Sequence, residues 1–468
     1  MPPTLFARRT CVLLLLPAAL FAQSPAPADR PDPAEIPLPP IVTPMGRLPG
    51  VNELPVRAAL PDVLTMNDGT RVTTVAQWRQ RREEMKRTLE YYATGQMPPA
   101  PGNVTGTEVR AETVAGGKVK YRLVHLTFGP DGKLGLDIGI FTPAEGGPFP
   151  AIISQAGTPP GATERLRLPP GPNQGKGQDV LLVVGPGNAP AAGPAPSGPP
   201  GGRGPATAAA LAERHAEIFH RGYALVIFNP NDCAEDTTLR ELDGSWSFRQ
   251  TRFFPAYPGY DWGILAGWAW GASRVADYLE TDAAIDHTKL MVITGASRNG
   301  KSALIAAAFD ERLLGAPVVT GGGGVGAYRL AGPRRSETLD VMQKKYPNWF
   351  SPHLHEFWGQ REKLPFDQHW FLALCAPRPF IALEGDTDVI SLPAAVRASF
   401  LAAEPAYALL GAPGRLGVHY SRHGHAFTAE DWTALMNFTD RHLRGRRDFT
   451  FDWFPTDAEL DAAAKQSN

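Results

Sequence analysis

The stretch VITGASRNGKSAL, at positions 292–304, carries residue types that could do chemistry in two different ways. Gly295, four residues, and then Gly300, Lys301 and Ser302 form the pattern of a loop whose backbone amides cradle phosphate groups. Alternatively, Ser297 lies at the tip of a sharp turn between a strand and a helix, where many hydrolases hold their nucleophile. The first interpretation predicts a nucleotide-binding protein and the second an esterase.

The esterase interpretation requires an acid and then a histidine later in the chain, and both are present. RPFIALEGDTD ends a predicted strand with Asp386 and Asp388, and VHYSRHGHAF supplies His419, His423 and His425. A serine hydroxyl attacks well only when an imidazole takes its proton, while a carboxylate fixes that imidazole and stabilises its positive form. The order Ser, Asp, His is the one that this kind of turn requires. We therefore favour the esterase and keep a P-loop NTPase as the remote alternative.

Metal and redox chemistry have little support in the pattern of histidines and cysteines. The three histidines form an H-x3-H-x-H array, but no acid or cysteine completes a ligand set with the usual spacing, so no metal and no cofactor are predicted. Cys233 and Cys375 lie in no C-x-x-C motif, and a chain of this size does not need a disulfide. We expect both cysteines to be free and buried.

The elements that must position these residues follow from short apolar runs separated by helical stretches. Alternation in 118–128 and 133–143 around GPDG predicts a hairpin. Helical spacing follows Asp68 and Gly69, and 261–280 also has a helical pattern. Alternating strands and helices favour an α/β fold with a mostly parallel sheet covered on both faces. The buried strands are predicted at 148–157, 222–230, 289–297, 315–321 and 378–386.

The N-terminus predicts export. Arg8 and Arg9 precede an apolar run, too short to span a bilayer, that ends at a small residue, Ala22; this pattern is typical of a cleaved signal peptide at 1–22, for the Sec or twin-arginine route. The protein is then secreted or periplasmic and free of the membrane. We predict a Pro/Ala-rich leader at 23–60, a helical extension at 61–104 and a catalytic domain at 105–455, with a Gly/Pro-rich insertion at 185–210.

Composition adds limits on the partners. The chain has 468 residues, 43% of them hydrophobic and 20% charged, which is enough apolar material for a large core. The formal net charge is −1, so no global basic excess predicts binding to nucleic acid. The oligomeric state is not readable from these numbers.

Several segments together resemble the bacterial glucuronoyl esterases, carbohydrate esterase family 15. GASRNGKSA is similar to the family's nucleophile signature, and WGILAGWAWGASRVADYLETD precedes it. The resemblance extends to LPFDQHWFLALCAPRPFIAL, HGHAFTAEDW and DGTRVTTVAQWRQRREEM, and covers most of the chain beyond about residue 60. It implies an α/β-hydrolase fold and a metal-free enzyme that cleaves esters of 4-O-methyl-glucuronic acid on xylan, in the plant cell wall.

The resemblance also implies roles for individual residues. Ser297 is the expected nucleophile and His425 the base, while Arg298 helps to hold the oxyanion and Lys301 contacts sugar hydroxyls. Glu337 is a further expected sugar contact. Many family members place a glutamate after the next strand, where this chain has Thr320, so the acid is expected from GDTD. We favour Asp388 over Asp386 because it reaches further past the strand end.

Two other departures bear on the substrate. The tryptophan that often follows this acid in the family is replaced by Val389 and Ile390, and Ala296 replaces the cysteine or histidine that often precedes the serine. Ester hydrolysis is therefore better supported than glucuronate specificity. The alternatives are an acetyl-xylan or other carbohydrate esterase and a catalytically inactive binding relative.

Overall fold

The computed structural model describes residues 46–162, 207–241, 244–330 and 337–446. The predicted signal peptide, most of the predicted leader and most of the insertion at 185–210 lie outside the described residues. Among the described residues, no helix is both long and apolar enough to cross a membrane.

The described chain is built around one nine-stranded sheet with the order β1-β2-β3-β5-β4-β6-β7-β8-β9. β1, β2, β3 and β5 pair antiparallel, and every pair from β5 through β4 to β9 is parallel. The strands are β1 Thr105–Val114, β2 Val119–Phe128, β3 Leu134–Pro143, β4 Ala151–Ser154, β5 Ala224–Phe228, β6 Met291–Ala296, β7 Leu313–Val318, β8 Phe380–Gly385 and β9 Leu416–Ser421. The predicted α/β class and the mostly parallel sheet are confirmed.

Burial explains which strands the sequence predicts well. Every residue of β4, β5, β7 and β8 is buried, because helices cover both faces of the parallel part. The predicted hairpin is confirmed by β2 and β3, whose register pairs Val119 with Pro143. β1 was not predicted: it is an edge strand with mostly exposed residues, so it lacks the apolar alternation that reveals a half-buried strand.

Nine α-helices accompany the sheet in the described residues: α1 Val75–Leu89, α2 Ala208–Arg214, α3 Ala216–His220, α4 Ile264–Leu279, α5 Arg298–Phe309, α6 Leu339–Lys345, α7 His369–Cys375, α8 Pro393–Leu409 and α9 Ala429–Arg444. The predicted N-terminal helix is α1. Thr74 and Gln77 form a capping box at its start, which satisfies backbone donors that the first turn leaves free. Trp78, Met85 and Leu89 are its buried apolar residues and join the main core.

Two apolar clusters fill the two faces of the sheet. Ile293 of β6 belongs to one and Val292 to the other, as the two-residue period of a strand requires. Cys233 and Cys375 are both buried, and neither forms a disulfide in the described chain.

The topology brings the predicted site residues to one edge. β6, β8 and β9 run parallel, so their carboxyl ends meet at the same edge of the sheet. Ser297 follows β6, Asp388 follows β8 and His425 follows β9.

Candidate active site

Ser297 forms the whole turn between a strand and a helix. β6 ends at Ala296 and α5 begins at Arg298, and Ser297 between them has φ 58° and ψ −124°. A positive φ is uncommon for a residue with a side chain and is typical of functional turns. This is the geometry of a nucleophile elbow.

Two glycines allow strand and helix to approach this closely. A Cβ on Gly295 would lie 2.8 Å from the carbonyl oxygen of Asn299, and a Cβ on Gly300 would lie 2.8 Å from that of Gly295. Both contacts are shorter than side chains tolerate. The glycines that complete the phosphate-loop pattern are therefore required by the packing of the elbow.

In this geometry the motif does not form a phosphate-binding loop. A phosphate-binding loop needs several backbone amides pointing into it, whereas here the turn is a single residue whose amide donates to the carbonyl oxygen of Val318 at 2.9 Å. The ammonium of Lys301 donates instead to the carbonyl oxygen of Thr320 (2.6 Å) and to Glu337 Oε2 (2.8 Å).

His425 is paired with Asp388. Its Nδ1 lies 2.9 Å from Asp388 Oδ2, and the Asp388 side chain is fully buried while that of His425 is 38% exposed. Asp388 Oδ1 accepts a hydrogen bond from the amide of Ile390 at 3.1 Å. The other candidate acid, Asp386, faces Arg422, whose Nε lies 4.0 Å away. The carboxylate that contacts the histidine is thus the later of the two.

Arg298, the first residue of α5, is held over an aromatic ring. Its guanidinium pairs with Asp236 and lies 5.4 Å from the ring centroid of Trp349. Trp349 Nε1 donates to the same carboxylate at 2.7 Å, and Tyr346 stacks on Trp349 at a ring-centroid distance of 3.9 Å. Asp236 therefore fixes both the cation and the ring, although its position alone in the sequence does not reveal this role.

Lys301 and Glu337, both expected sugar contacts, form an ion pair. The Lys301 side chain is 1% exposed and that of Glu337 is 12% exposed. A buried charge is stable only when it is paired and hydrogen-bonded. The pair is consequently part of the wall of the site as well as a candidate for binding hydroxyl groups.

Asn299 explains why the motif departs from G-x-S-x-G. Its Nδ2 donates to the carbonyl oxygen of Gln155 at 2.8 Å, which ties α5 to the residue that follows β4. In elbow hydrolases the loop after this strand supplies one amide of the oxyanion hole. The Gln155 side chain is buried, and neither of its amide atoms has a hydrogen-bond partner among the described residues. Gln155 was not recognised from the sequence, and the departure at Asn299 was the available signal.

A second buried carboxyl lies beside this region. Glu384 Oε1 accepts from the Thr320 hydroxyl at 3.1 Å and from its amide at 3.3 Å. Burial, assisted by the negative charge of Asp388, raises the pKa of Glu384 to about 7. Sequence analysis found Thr320 at the place of a family glutamate but did not find Glu384.

The remaining histidines have different surroundings. His369 is buried and lies 2.7 Å from the carbonyl oxygen of Pro61, and burial lowers its pKa to about 4, which fits a structural role. His423 lies against Asp431 in α9. In the described chain, no group of three or more His, Cys, Asp or Glu side chains is arranged to hold a metal ion.

The sheet order, the one-residue elbow after β6 and the histidine–carboxylate pair after β9 and β8 define an α/β-hydrolase. Comparison with known proteins agrees. A family model described as glucuronyl esterase of fungi matches residues 195–411.

Relatives from several organisms extend the match. A carbohydrate esterase from an unknown prokaryotic organism is 28% identical over 420 residues, covering 82% of this chain and 90% of the relative. The 4-O-methyl-glucuronoyl methylesterase 1 of Wolfiporia cocos is 27% identical and covers 86% of this chain and 85% of its own. The solved family 15 glucuronoyl esterase of Caldicellulosiruptor kristjansonii is 27% identical, with a TM-score of 0.62 over 87% of this chain and 97% of its own.

The chain is therefore similar over most of its length to the glucuronoyl esterases of carbohydrate esterase family 15, and the resemblance noted in the sequence is confirmed. This is a family of carboxylic ester hydrolases.

Proposed function

We propose that the protein is a serine esterase that hydrolyses esters of 4-O-methyl-glucuronic acid, with Ser297 as nucleophile, His425 as base and Asp388 as the acid. The observation that carries this proposal is the backbone of Ser297, held at φ 58° between β6 and α5. Such strain persists only where the surrounding structure maintains it, and it presents the hydroxyl at the edge where the histidine loop also ends.

The contact between His425 and Asp388 supports the proton transfers. With Nδ1–H donating to Asp388 Oδ2, Nε2 of His425 is left unprotonated and able to take the proton of the serine hydroxyl. Ser297 Oγ then attacks the ester carbonyl, and the tetrahedral intermediate collapses when His425 returns the proton to the leaving alcohol. Water, activated by the same imidazole, releases the glucuronic acid from Ser297.

Arg298 is proposed to stabilise the oxyanion. Its amide is at the N-terminus of α5, where backbone donors and the helix dipole favour negative charge. Its guanidinium is 25% exposed and is already fixed by Asp236, so little reorganisation is needed when charge develops. The loop that begins at Gln155 is the candidate source of a second donor.

Lys301 and Glu337 are proposed to bind sugar hydroxyls. Donor and acceptor are presented together, 2.8 Å apart, and such a pair can exchange part of its mutual contact for bonds to a vicinal diol. The names of the relatives support 4-O-methyl-glucuronate as the sugar, and the substrate is then a cell-wall polysaccharide or a smaller glucuronate ester.

Export is also proposed, from the pattern at 1–22. Mass analysis of the N-terminus of protein collected outside the cytoplasm tests it, and an uncleaved Met1 there contradicts it.

An acetyl-xylan esterase is the second candidate, because Val389, where relatives often carry a sugar-packing tryptophan, is 56% exposed and offers no ring for a uronic acid. Rates on the methyl ester of 4-O-methyl-glucuronic acid and on acetylated xylan distinguish the two. Labelling by a serine-directed phosphonate, located on Ser297 by mass spectrometry, tests for an inactive relative; absence of the label would end the esterase proposal.

A further inference from the structure

His423 is the histidine of the HGH segment that the proposed mechanism does not use, and both of its ring nitrogens face acceptors. Nδ1 lies 2.7 Å from the carbonyl oxygen of Gly424. Nε2 lies 3.1 Å from Oδ1 and 3.0 Å from Oδ2 of Asp431. A neutral imidazole carries one N–H and can donate to only one of these groups. Donation to both requires the protonated ring.

Asp431, the acceptor at Nε2, also holds other groups of the loop. Asp431 is fully buried, and its Oδ2 also accepts from the amide and the hydroxyl of Thr428, both at 2.8 Å, at the start of α9. A buried carboxylate needs a counter-charge as well as hydrogen bonds. His423, with a side chain that is 10% exposed, is placed to supply that charge.

His423 also contacts the segment that carries the acid. Its carbonyl oxygen accepts from the amide of Thr387 at 3.2 Å, one residue before Asp388. Packing here is close, since a Cβ on Gly385 would collide with the carbonyl oxygens of His423 and Gly424. His423 therefore joins three parts of the site: the loop of His425, the segment of Asp388 and the N-terminus of α9.

We propose that His423 is a positioning residue that acts as an imidazolium: it clamps the loop at 422–428, with His425, onto Asp431, and the clamp loosens when His423 loses its proton. This inference rests on the proposed esterase function only for its effect on rate, and the charge on His423 is testable without it.

The charged and titratable groups around His423 favour its protonated form. Asp431 comes from α9, Asp386 from the segment after β8, and His419 from β9, while Arg422 in the same loop is largely exposed and lies near Asp386. Burial opposes the charged ring, but the hydrogen bonds to Gly424 and Asp431 and the two carboxylate charges outweigh it, so the pKa of His423 is raised. Burial lowers the pKa of His419, which keeps that ring neutral at pH 7; Glu430, at the start of α9, is among its charged neighbours.

The direction of the pH effect follows. A histidine whose folded pKa is raised stabilises its contacts fully below the unfolded value of about 6.5 and loses this contribution as the pH rises through the folded value. The clamp is thus closed below about pH 6.5 and weakens as the pH rises through the raised pKa of His423.

The first test is an NMR titration of the ring nitrogens in ¹⁵N-histidine-labelled protein, with His423→Gln for assignment. We expect His423 to be doubly protonated below about pH 6.5, to titrate above that value, and to titrate lower in Asp431→Asn. Arg422→Gln is the control, since it removes a neighbouring exposed charge and should move the pKa far less than Asp431→Asn. A wild-type His423 that titrates at or below about 6.5 overturns the proposal.

The second test compares His423→Gln with Arg422→Gln on methyl 4-O-methyl-glucuronate. We expect kcat of His423→Gln to fall about tenfold to a hundredfold with KM within about twofold, because the loop that carries the base is displaced. We expect kcat of wild type to decrease on the alkaline side, and this decrease should be absent from His423→Gln and retained in Arg422→Gln. An unchanged kcat and alkaline limb in His423→Gln overturns the proposal. If wild type does not hydrolyse the ester, the esterase proposal fails, but the NMR titration still decides the charge on His423. The titration of the wild-type protein also decides that charge if His423→Gln does not fold.

Discussion

The tetrapeptide GASR occurs twice in this chain, at 271–274 and at 295–298, and the two copies have different structures. The first lies inside α4, and the second crosses the boundary from β6 to α5. Both serines are half-buried, but Ser273 continues a helix whereas Ser297 has a positive φ. The difference comes from what precedes and packs against each copy, since the residues themselves are the same.

The arginines of the two copies make similar contacts but differ in their exposure and in their position in the fold. Arg274 donates to Asp277 at 2.6 Å and lies 4.4 Å from the ring centroid of Trp270. Arg298 is likewise paired with an aspartate and lies over a tryptophan. Arg274 is only 3% exposed, within the core side of α4, whereas Arg298 opens a helix beside the elbow. An aspartate–arginine–tryptophan group is therefore not in itself a sign of catalysis.

The largest expected difference is between the two serines. Ser297→Ala should reduce kcat for methyl 4-O-methyl-glucuronate by about 10⁴-fold or more, because the proposed acyl-enzyme forms on this hydroxyl. Ser273→Ala should leave kcat within about twofold, since a helix accommodates alanine well. Steady-state rates of the two purified variants check this, with circular dichroism to confirm folding. Equal rates for both variants would remove the basis for the assignment of Ser297.

Substitution of the two arginines should give a smaller difference in kcat than substitution of the two serines. Arg298→Lys keeps the charge but loses the planar guanidinium, and we expect kcat to fall by about 10²- to 10³-fold, the range for loss of one oxyanion donor. Arg274→Lys should lower the free energy of unfolding by about 1 to 2 kcal/mol through its lost ring contact and ion pair, with kcat unaffected. The measurement is kcat together with denaturant unfolding for each. A kcat of Arg298→Lys close to wild type would show that its guanidinium does not contact the transition state.

The two copies also show how far sequence reasoning can go. The strand, turn and helix around Ser297 were predictable because apolar periodicity and glycine spacing are local signals. The sequence favoured Asp388 over Asp386 only by its position further past the strand end. The contact of His425 with Asp388 depends on how the loops after β8 and β9 meet, which is not a local signal. Asp236, which fixes Arg298, lies 62 residues before it in the chain. Edge strand β1 was not predicted because its exposed residues carry no burial pattern.

The two regions should also differ in how a buried carboxyl group titrates. Burial, together with Asp388, raises the pKa of Glu384 near the elbow to about 7. Near the first copy, burial opposes but hydrogen bonds and charge from Arg312 prevail, so the pKa of Asp310 is lowered. The folded state holds the Glu384 proton between pH 4.5 and 7, where the unfolded state releases it, so this group destabilises the fold as the pH rises through that window.

Glu384→Gln should remove this pH-dependent loss of folding stability. We expect the variant to gain about 3 kcal/mol relative to wild type between pH 4.5 and pH 8, as judged by urea unfolding at both values. Asp310→Asn is the matched control, because a carboxyl with a lowered pKa is ionised at both values and its effect should not change between them. A pH-independent effect of Glu384→Gln would mean that Glu384 is ionised throughout.

The smallest expected effect concerns the first glycine of each copy. A Cβ on Gly271 would collide with the Cys233 side chain, whereas a Cβ on Gly295 would meet the backbone of Asn299. A side chain can be shortened and a backbone cannot, so Gly271→Ala should cost about 1 to 3 kcal/mol of unfolding free energy, recovered in part when combined with Cys233→Ala. Urea unfolding of the two single variants and the double variant measures the coupling, with kcat as a control that should stay constant. Strictly additive effects would contradict the close contact of Gly271 with Cys233. No side-chain substitution is expected to rescue Gly295→Ala, because the atoms it meets belong to the helix that forms the elbow.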